Sequence, residues 1–257
     1  SDPPHIRQGL CLVGMMITRE LADAGKKLGE GNFGVVYKGR WHGKNVALKQ
    51  VKSITLMTHF ASSDEFDGRQ TASQLRVFDE TSKNLSGLHS LSNSAAILGW
   101  PGAHQDCVRA GGALYGLSVV DDKTGADFGL NPAMSLSTKL IAINQIKKGE
   151  SIGYSATWQC PEDMPVGVAA IGYGDGYPRH ASAGTPVLIN GVRVPIIGRV
   201  SMDLMTLDLR GIPDANVGDD VLLWGPELPV EIIAKASGSI SYELTCSITR
   251  RVRFIEA

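Results

Sequence analysis

The strongest constraint on this sequence is a change of texture near Pro132. Before it, apolar strand-like runs alternate with helix-like stretches. Residues 54–61 read as a buried strand. Ser62 or Ser63 is placed to cap a helix with Asp64 and Glu65 in its first turn and Leu75 and Phe78 on one face. Residues 88–92 read as a short strand, 93–98 as a short helix stopped near Gly99 and Pro101, and 108–117 as another strand loosened by Gly111 and Gly112. That alternation implies parallel βα units. After Pro132 the pattern is nearly all strand: 135–146, a turn at Gly149-Glu150, 151–158, 202–209, 221–224 and 241–254. Asn190-Gly191 inside the apolar stretch 187–194 favours a hairpin with a type I′ turn. One helix, 229–237, interrupts the strands and ends at Gly238. The fold class read from this is α/β plus all-β.

Bulk properties narrow the function classes. The 257 residues carry 25 basic and 26 acidic side chains, a formal charge of −1, so there is no electrostatic footprint for nucleic acid. Cys11, Cys107, Cys160 and Cys246 are widely spaced with no CxxC pair, which reads as reduced thiols in a cytoplasmic protein and not as a disulfide or zinc framework. No metal site is expected. The apolar run 10–17 is too short to span a bilayer, and Arg19, Glu20 and Asp23 interrupt its likeness to a signal peptide. A short helix is expected at 18–24, from Thr18 as N-cap to Gly25 at its end.

Two motif sets compete. Leu28-Gly29-Glu30-Gly31-Asn32-Phe33-Gly34-Val35 followed by Val46-Ala47-Leu48-Lys49 resembles the opening of a protein kinase, a glycine loop between strands and then a strand lysine. In that form the glycines let backbone N–H groups approach phosphates and the lysine supplies a point charge. His104-Gln105-Asp106, Asp127-Phe128-Gly129 and Cys160-Pro161-Glu162 echo the later kinase motifs. The second magnesium ligand, an Asn after the catalytic Asp, has no counterpart in Val108-Arg109-Ala110-Gly111.

The other set centres on tyrosines among glycines, Gly153-Tyr154 and Gly172-Tyr173-Gly174-Asp175-Gly176-Tyr177. A tyrosine held near cationic groups can exchange a proton with a carbon acid. With Met57-Thr58-His59-Phe60-Ala61, Asn93-Ser94-Ala95-Ala96, Val108-Arg109-Ala110-Gly111-Gly112, Gly198-Arg199-Val200-Ser201-Met202-Asp203 and Tyr242-Glu243-Leu244 in order, residues 55–257 resemble the C-terminal part of bacterial alanine racemases. The resemblance implies the last three units of an eight-stranded (β/α) TIM-type barrel at 54–131 and a small β-domain at 132–257, behind a kinase-like segment at 1–53. It implies a homodimer with shared active sites, using pyridoxal 5′-phosphate to interconvert L- and D-alanine. By the same resemblance Tyr154 is the base on the L-substrate face and serves the partner subunit. In the resemblance Arg109 corresponds to the arginine that donates to the pyridine nitrogen. Ser94, the backbone of Gly111 and Gly112, and Tyr242 hold the cofactor phosphate; Tyr173, Met202 and Asp203 lie near the substrate and its access route.

The sequence departs from the family in places. Many members carry a His where Ser90 stands, and His89 sits one position earlier, so His89 receives no role. Ala110 and Gly112 replace larger residues. The family's lysine segment, with its Asn-Ala-Tyr-Gly run, is not found; Lys49 is the candidate to join the cofactor, although Gln50-Val51-Lys52-Ser53 after it follows the kinase form. Two alternatives therefore stand beside the racemase: a non-catalytic dimerising β-domain with residual cofactor or nucleotide affinity, and an ATP-binding kinase-like chimera.

Overall fold

Residues 27–31, 34–41, 44–50 and 54–256 are described by the computed structural model, and the chain divides between Ala110 and Gly111 into two units. The apolar run 10–17 and the helix expected at 18–24 lie outside the described residues. In the first unit β1 (Lys27–Gly31), β2 (Gly34–Trp41) and β3 (Lys44–Gln50) form an antiparallel meander. Gly31 pairs with Gly34 and Arg40 with Asn45, so β2 runs antiparallel to both of its neighbours. Lys49 lies on β3 opposite Val36.

A parallel pair follows, β4 (Thr55–Met57) and β5 (Leu88–Ser90), joined through α1 (Arg69–Ser82). This is a βα unit, but shorter than expected. The strand stops at Met57, and α1 starts at Arg69 with Gly68 as N-cap, not at Ser62 or Ser63. The reason is that both serines are engaged elsewhere: the Ser63 hydroxyl donates to Asn93 Oδ1 at 2.7 Å, and the Ser62 carbonyl accepts from the Thr71 hydroxyl. Both serines hold a loop together instead of capping a helix. Phe78 on α1 packs with Leu56, Phe60, Leu91, Ala96 and Ala103. The short helix α2 (Ser94–Gly99) forms as expected, capped by Asn93 Oδ1, which accepts from the Ala96 N–H at 3.1 Å. No strand forms at 108–117; a single 3₁₀ turn, Gly112–Tyr115, takes its place. Two consecutive glycines bring no side chains to pack on a pleated surface, so the apolar residues around them cannot hold a ladder.

The second unit is built on a closed antiparallel barrel in the order β10-β11-β12-β9-β6-β13. Its strands are β6 (Leu136–Ile146), β9 (Met164–Ala169), β10 (Pro186–Ile189), β11 (Val192–Ile197), β12 (Met205–Asp208) and β13 (Asp220–Trp224). Asn190 and Gly191 both take positive φ, 50° and 77°, and make the type I′ turn between β10 and β11. Alternate side chains, among them Leu140, Val187, Ile189, Ile196, Leu207, Val221 and Leu223, fill the interior. The helix α3 (Val230–Ala236) forms where expected.

Two expected strands do not form. Residues 151–158 break into β7 (Ser151–Ile152) and β8 (Trp158–Gln159) around a turn at Tyr154–Ala156. Residues 241–254 open as a helix, α4 (Ser241–Ser247), in which Ser241 and Leu244, three apart, point inward. The β-branched residues of that stretch lie at its end, and Leu244 burial decides the period.

Tyr177, the last residue of the glycine–tyrosine run, is a core residue. Its ring stacks on Trp224 at 6.0 Å, and its hydroxyl is buried without a hydrogen-bond partner, which raises its pKa well above the ordinary phenol value. Near the end of β12 the Asp208 carboxylate accepts from Arg210 Nη2 at 2.7 Å, Nε at 3.1 Å and the backbone N–H at 3.0 Å, and Arg210 also pairs with Glu162. Burial alone would push this carboxyl up; the bonds and charge of Arg210 outweigh it and hold it below the ordinary range.

Two outcomes follow. Tyr177→Phe removes an unpartnered buried hydroxyl and should leave the denaturation midpoint unchanged or raised, whereas Leu207→Ala in the same core should cost about 2–5 kcal/mol. A depressed carboxyl stabilises the fold at pH values above its unfolded pKa, about 3.9, and that stability fades as pH falls through the folded value. Asp208→Asn should therefore lower stability at pH 7 and show a shallower loss on acidification below about pH 4 than the unaltered chain in pH-dependent denaturation.

Candidate active site

In the first unit the polar contacts gather on Arg109. Its half-buried guanidinium donates through Nη1 to the Ser90 carbonyl (2.6 Å) and hydroxyl (2.7 Å), and through Nη2 to the carbonyls of Thr58 (2.7 Å) and Leu91 (3.1 Å). These acceptors sit at the carboxyl ends of β4 and β5, the face where βα barrels place their working residues. Burial lowers the Arg109 pKa, but a guanidinium starts so far above neutral that it stays charged. Four of its five N–H groups are thus committed, and Nε–H is the remaining donor.

Ser90 was not anticipated as a partner. Its buried hydroxyl takes an Arg109 N–H. His89 points elsewhere, its ring edge-on to Phe78 at 5.3 Å, while its backbone N–H donates to Asp106 Oδ2. Ser94 opens α2 and is buried.

In the second unit Gly112 and Tyr242 meet. The Gly112 N–H donates to the Tyr242 hydroxyl at 2.5 Å. A Cβ on Gly112 would lie 2.7 Å from Cζ of that ring, so only glycine allows the approach. Tyr242 is carried by α4, the helix that replaces an expected strand.

A separate open concavity of about 460 Å³ is lined by Gly153, Tyr154, Ser201, Met202, Asp203 and Leu204. Tyr154 is 63% exposed there. The turn that carries it is strained: Ser155 and Ala156, neither of them glycine, take φ of 62° and 48°. The Tyr173 segment joins the same rim by backbone, since Tyr173 N–H donates to the Ser201 carbonyl (3.0 Å) and Gly174 N–H to the Met202 carbonyl (2.8 Å). The Arg179 guanidinium lies 6.0 Å from the Tyr173 ring. Asp203 pairs with Arg251, a residue with no signal in the sequence reading. The concavity includes neither Gly112 nor Tyr242.

The kinase echoes perform local work. Asp106 holds the His89 N–H; Asp127 accepts from the Thr124 N–H at 2.7 Å and its hydroxyl at 3.0 Å, closing a capping box; Cys160 is buried and Glu162 pairs with Arg210. Among the described residues no cluster of His, Cys, Asp and Glu could hold a metal, and no helix is long and apolar enough to cross a membrane.

Part of a βα barrel followed by a closed antiparallel barrel defines a two-domain class, and the comparisons give it a family. Residues 42–119 match the alanine racemase N-terminal domain and residues 133–256 the alanine racemase C-terminal domain. The chain belongs to the alanine racemase family. An alanine racemase of Nitrosococcus oceani is 55% identical over 199 residues, 77% of this chain and 56% of the relative. One from Coxiella burnetii is 50% identical over 210 residues, 80% of this chain and 58% of the relative. Among solved structures, the biosynthetic alanine racemase of Pseudomonas aeruginosa superposes with a TM-score of 0.76 at 45% identity, covering 79% of this chain and 56% of that one. The Bartonella henselae enzyme, described with covalently bound pyridoxal phosphate, gives 0.71 at 26% identity over 78% of this chain and 56% of that one. This chain thus spans a little over half the length of the curated relatives it matches.

The Gly112–Tyr242 approach is open to a double-mutant cycle. Gly112→Ala should cost about 1–3 kcal/mol by overpacking, and Tyr242→Phe about 1 kcal/mol for the lost bond. The double variant should cost less than the sum, because both changes break the same bond. Additive costs in chemical denaturation would show that the two groups do not touch.

Proposed function

We propose that this chain carries part of the machinery of a pyridoxal 5′-phosphate-dependent alanine racemase, and that its Tyr154 acts in the site of a partner subunit. The observation that carries the reading is the separation of parts. An exposed tyrosine stands on a strained turn in an open concavity that contains neither Gly112 nor Tyr242. A base presented to solvent on one surface and a donor group on another suit a site completed by a second chain.

Each unit by itself carries donors of the kind this cofactor takes. Arg109 retains one N–H, enough for the pyridine nitrogen, and cannot surrender its proton. That nitrogen would accept a hydrogen bond without becoming protonated, which moderates the electron demand on the substrate. Ser94, the backbone of Gly111 and Gly112, and Tyr242 would hold the phosphate, the Gly112 N–H passing from the Tyr242 hydroxyl to a phosphate oxygen; the missing Cβ at Gly112 is what lets Tyr242 stand that close. For the aldehyde a lysine is required. Lys49 on β3 remains the candidate, and the match to the N-terminal racemase domain begins at residue 42, before it. When bound, the cofactor supplies delocalisation of the electron pair left as the α-proton departs.

Tyr154 would take or return that proton at its hydroxyl oxygen from one face of the substrate carbon. Met202, Asp203 and Tyr173 would shape the approach of alanine. A homodimer and a cytoplasmic location belong to the same reading. The closed, complete barrel of the second unit favours one rival, a β-domain that pairs with a partner without chemistry of its own.

A mixing experiment separates the two. A full-length alanine racemase with its equivalent tyrosine changed to Phe lacks one base, a loss of about 10²–10⁴-fold. Adding this chain should restore racemisation in heterodimers, measured by the appearance of D-alanine, and the Tyr154→Phe chain should not. If heterodimers co-purify and both mixtures stay silent, the non-catalytic rival holds.

A further inference from the structure

Beyond α4 the chain returns to the turn that bears Tyr173. Thr249 N–H donates to the Asp175 carbonyl at 3.0 Å, and the Thr249 hydroxyl to the Gly174 carbonyl at 3.1 Å. Those bonds bring Arg251 between two carboxylates. Its Nε lies 3.3 Å from Asp175 Oδ1, and its Nη2 pairs with Asp203 Oδ1. The two carboxylates belong to different turns. Asp175 caps the glycine–tyrosine turn by accepting the Gly172 N–H at 3.0 Å, and its side chain is only 14% exposed. Asp203 lines the concavity around Tyr154 and is 56% exposed.

We propose that Arg251 is a positioning residue for the Tyr154 concavity: it ties the rim at Asp203 to the anchored turn at Asp175, and so fixes the place of Met202 and Asp203 opposite the tyrosine. The inference rests on the racemase reading of that concavity and adds a residue that touches no reacting atom. The physical case is asymmetry. Asp175 is held by the backbone, by burial and by Arg251, whereas the exposed Asp203 lies in a stretch closed by the Ser201 N–H to Leu204 carbonyl bond (2.9 Å) and has Arg251 as its charged partner. The backbone bonds from Tyr173 and Gly174 reach Ser201 and Met202 but stop short of Asp203. A planar guanidinium can address two carboxylates from one plane, which an ammonium cannot do in fixed geometry. A simple surface ion pair would contribute to stability alone, and weakly; a clasp on the rim would alter how substrate is received.

The test uses the full chain mixed with the tyrosine-deficient racemase. Arg251→Ala should raise the KM for alanine about fivefold while kcat stays within about twofold, and Arg251→Lys should recover part of the loss. Amide exchange at Tyr173 and Gly174 should quicken in Arg251→Ala while the barrel amides of β12 and β13 keep their protection. Should Arg251→Ala fail to fold, Arg251→Gln keeps the size without the charge and should show the same KM rise. An active mixture in which KM does not move overturns the clasp and leaves the Tyr154 reading standing. A wild-type mixture that never gains activity, with heterodimers proven, removes the Tyr154 reading and this inference with it.

Discussion

Closure of the six-stranded barrel is the constraint on which the second unit depends. An open sheet of these short strands would leave N–H and C=O groups unpaired at both edges. The pairing of β10 with β13 joins the two ends of the sheet and leaves no edge strand in the barrel. Closure also fixes which side chains face inward, because the period of two admits no slip without exposing the core. Leu140, Leu207, Val221 and Leu223 are buried for that reason. The segments proposed for function are all outside this ring: the Tyr154 turn between β7 and β8, the Tyr173 turn after β9, the Ser201–Leu204 stretch before β12, and Tyr242 on α4. A rigid ring carrying its chemistry on connections can hold strained turns such as Ser155–Ala156 without coming apart.

Legibility followed the reach of the physics. The hairpin at Asn190-Gly191 was readable because turn chemistry is local, and α2 because Asn93 caps it directly. The start of α1 was not, since the Ser63 hydroxyl is spent on Asn93, thirty residues away in sequence. The helix α4 was misread as a strand for a related reason: tertiary burial of Leu244 overrode the β-branched residues nearby. At the candidate site, the identities of Tyr154, Arg109 and Tyr242 came from the family resemblance and from no local rule. Their partners carried no such signal. Three of the acceptors around Arg109 are backbone carbonyls, which every residue possesses. Arg251 sits in a run of basic residues with nothing to mark it from Arg250 or Arg253.

The kinase-like residues show how a motif can be real as a string and still be spent on local structure. Asp127 is the N3 member of a capping box, and both of its recorded bonds go to Thr124. Bound that way it serves one 3₁₀ turn, where a metal ligand would need its carboxylate turned outward. Cys160 is buried with its thiol pushed up by desolvation, and Glu162 is engaged with Arg210. The first strands do form the hairpin that a glycine loop and a strand lysine require. A hairpin is also what Gly31, Gly34 and alternating apolar residues would make in any protein, so the backbone there does not choose between the two families.

The choice of arginine at position 109 illustrates why geometry and protonation belong to one argument. A lysine there would bring three donors and a pKa that burial can drag toward neutrality. Arginine brings five donors in a fixed plane and keeps its charge through the same desolvation. Thr58, Ser90 and Leu91 take up both terminal nitrogens, so the plane cannot rotate away without breaking several bonds at once. The remaining N–H therefore has a direction set by the barrel strands and not by whatever it meets. A donor that is fixed in space and unable to give up its proton can hold an acceptor without protonating it, and the neutral Ser90 hydroxyl adds no titrating group to that arrangement.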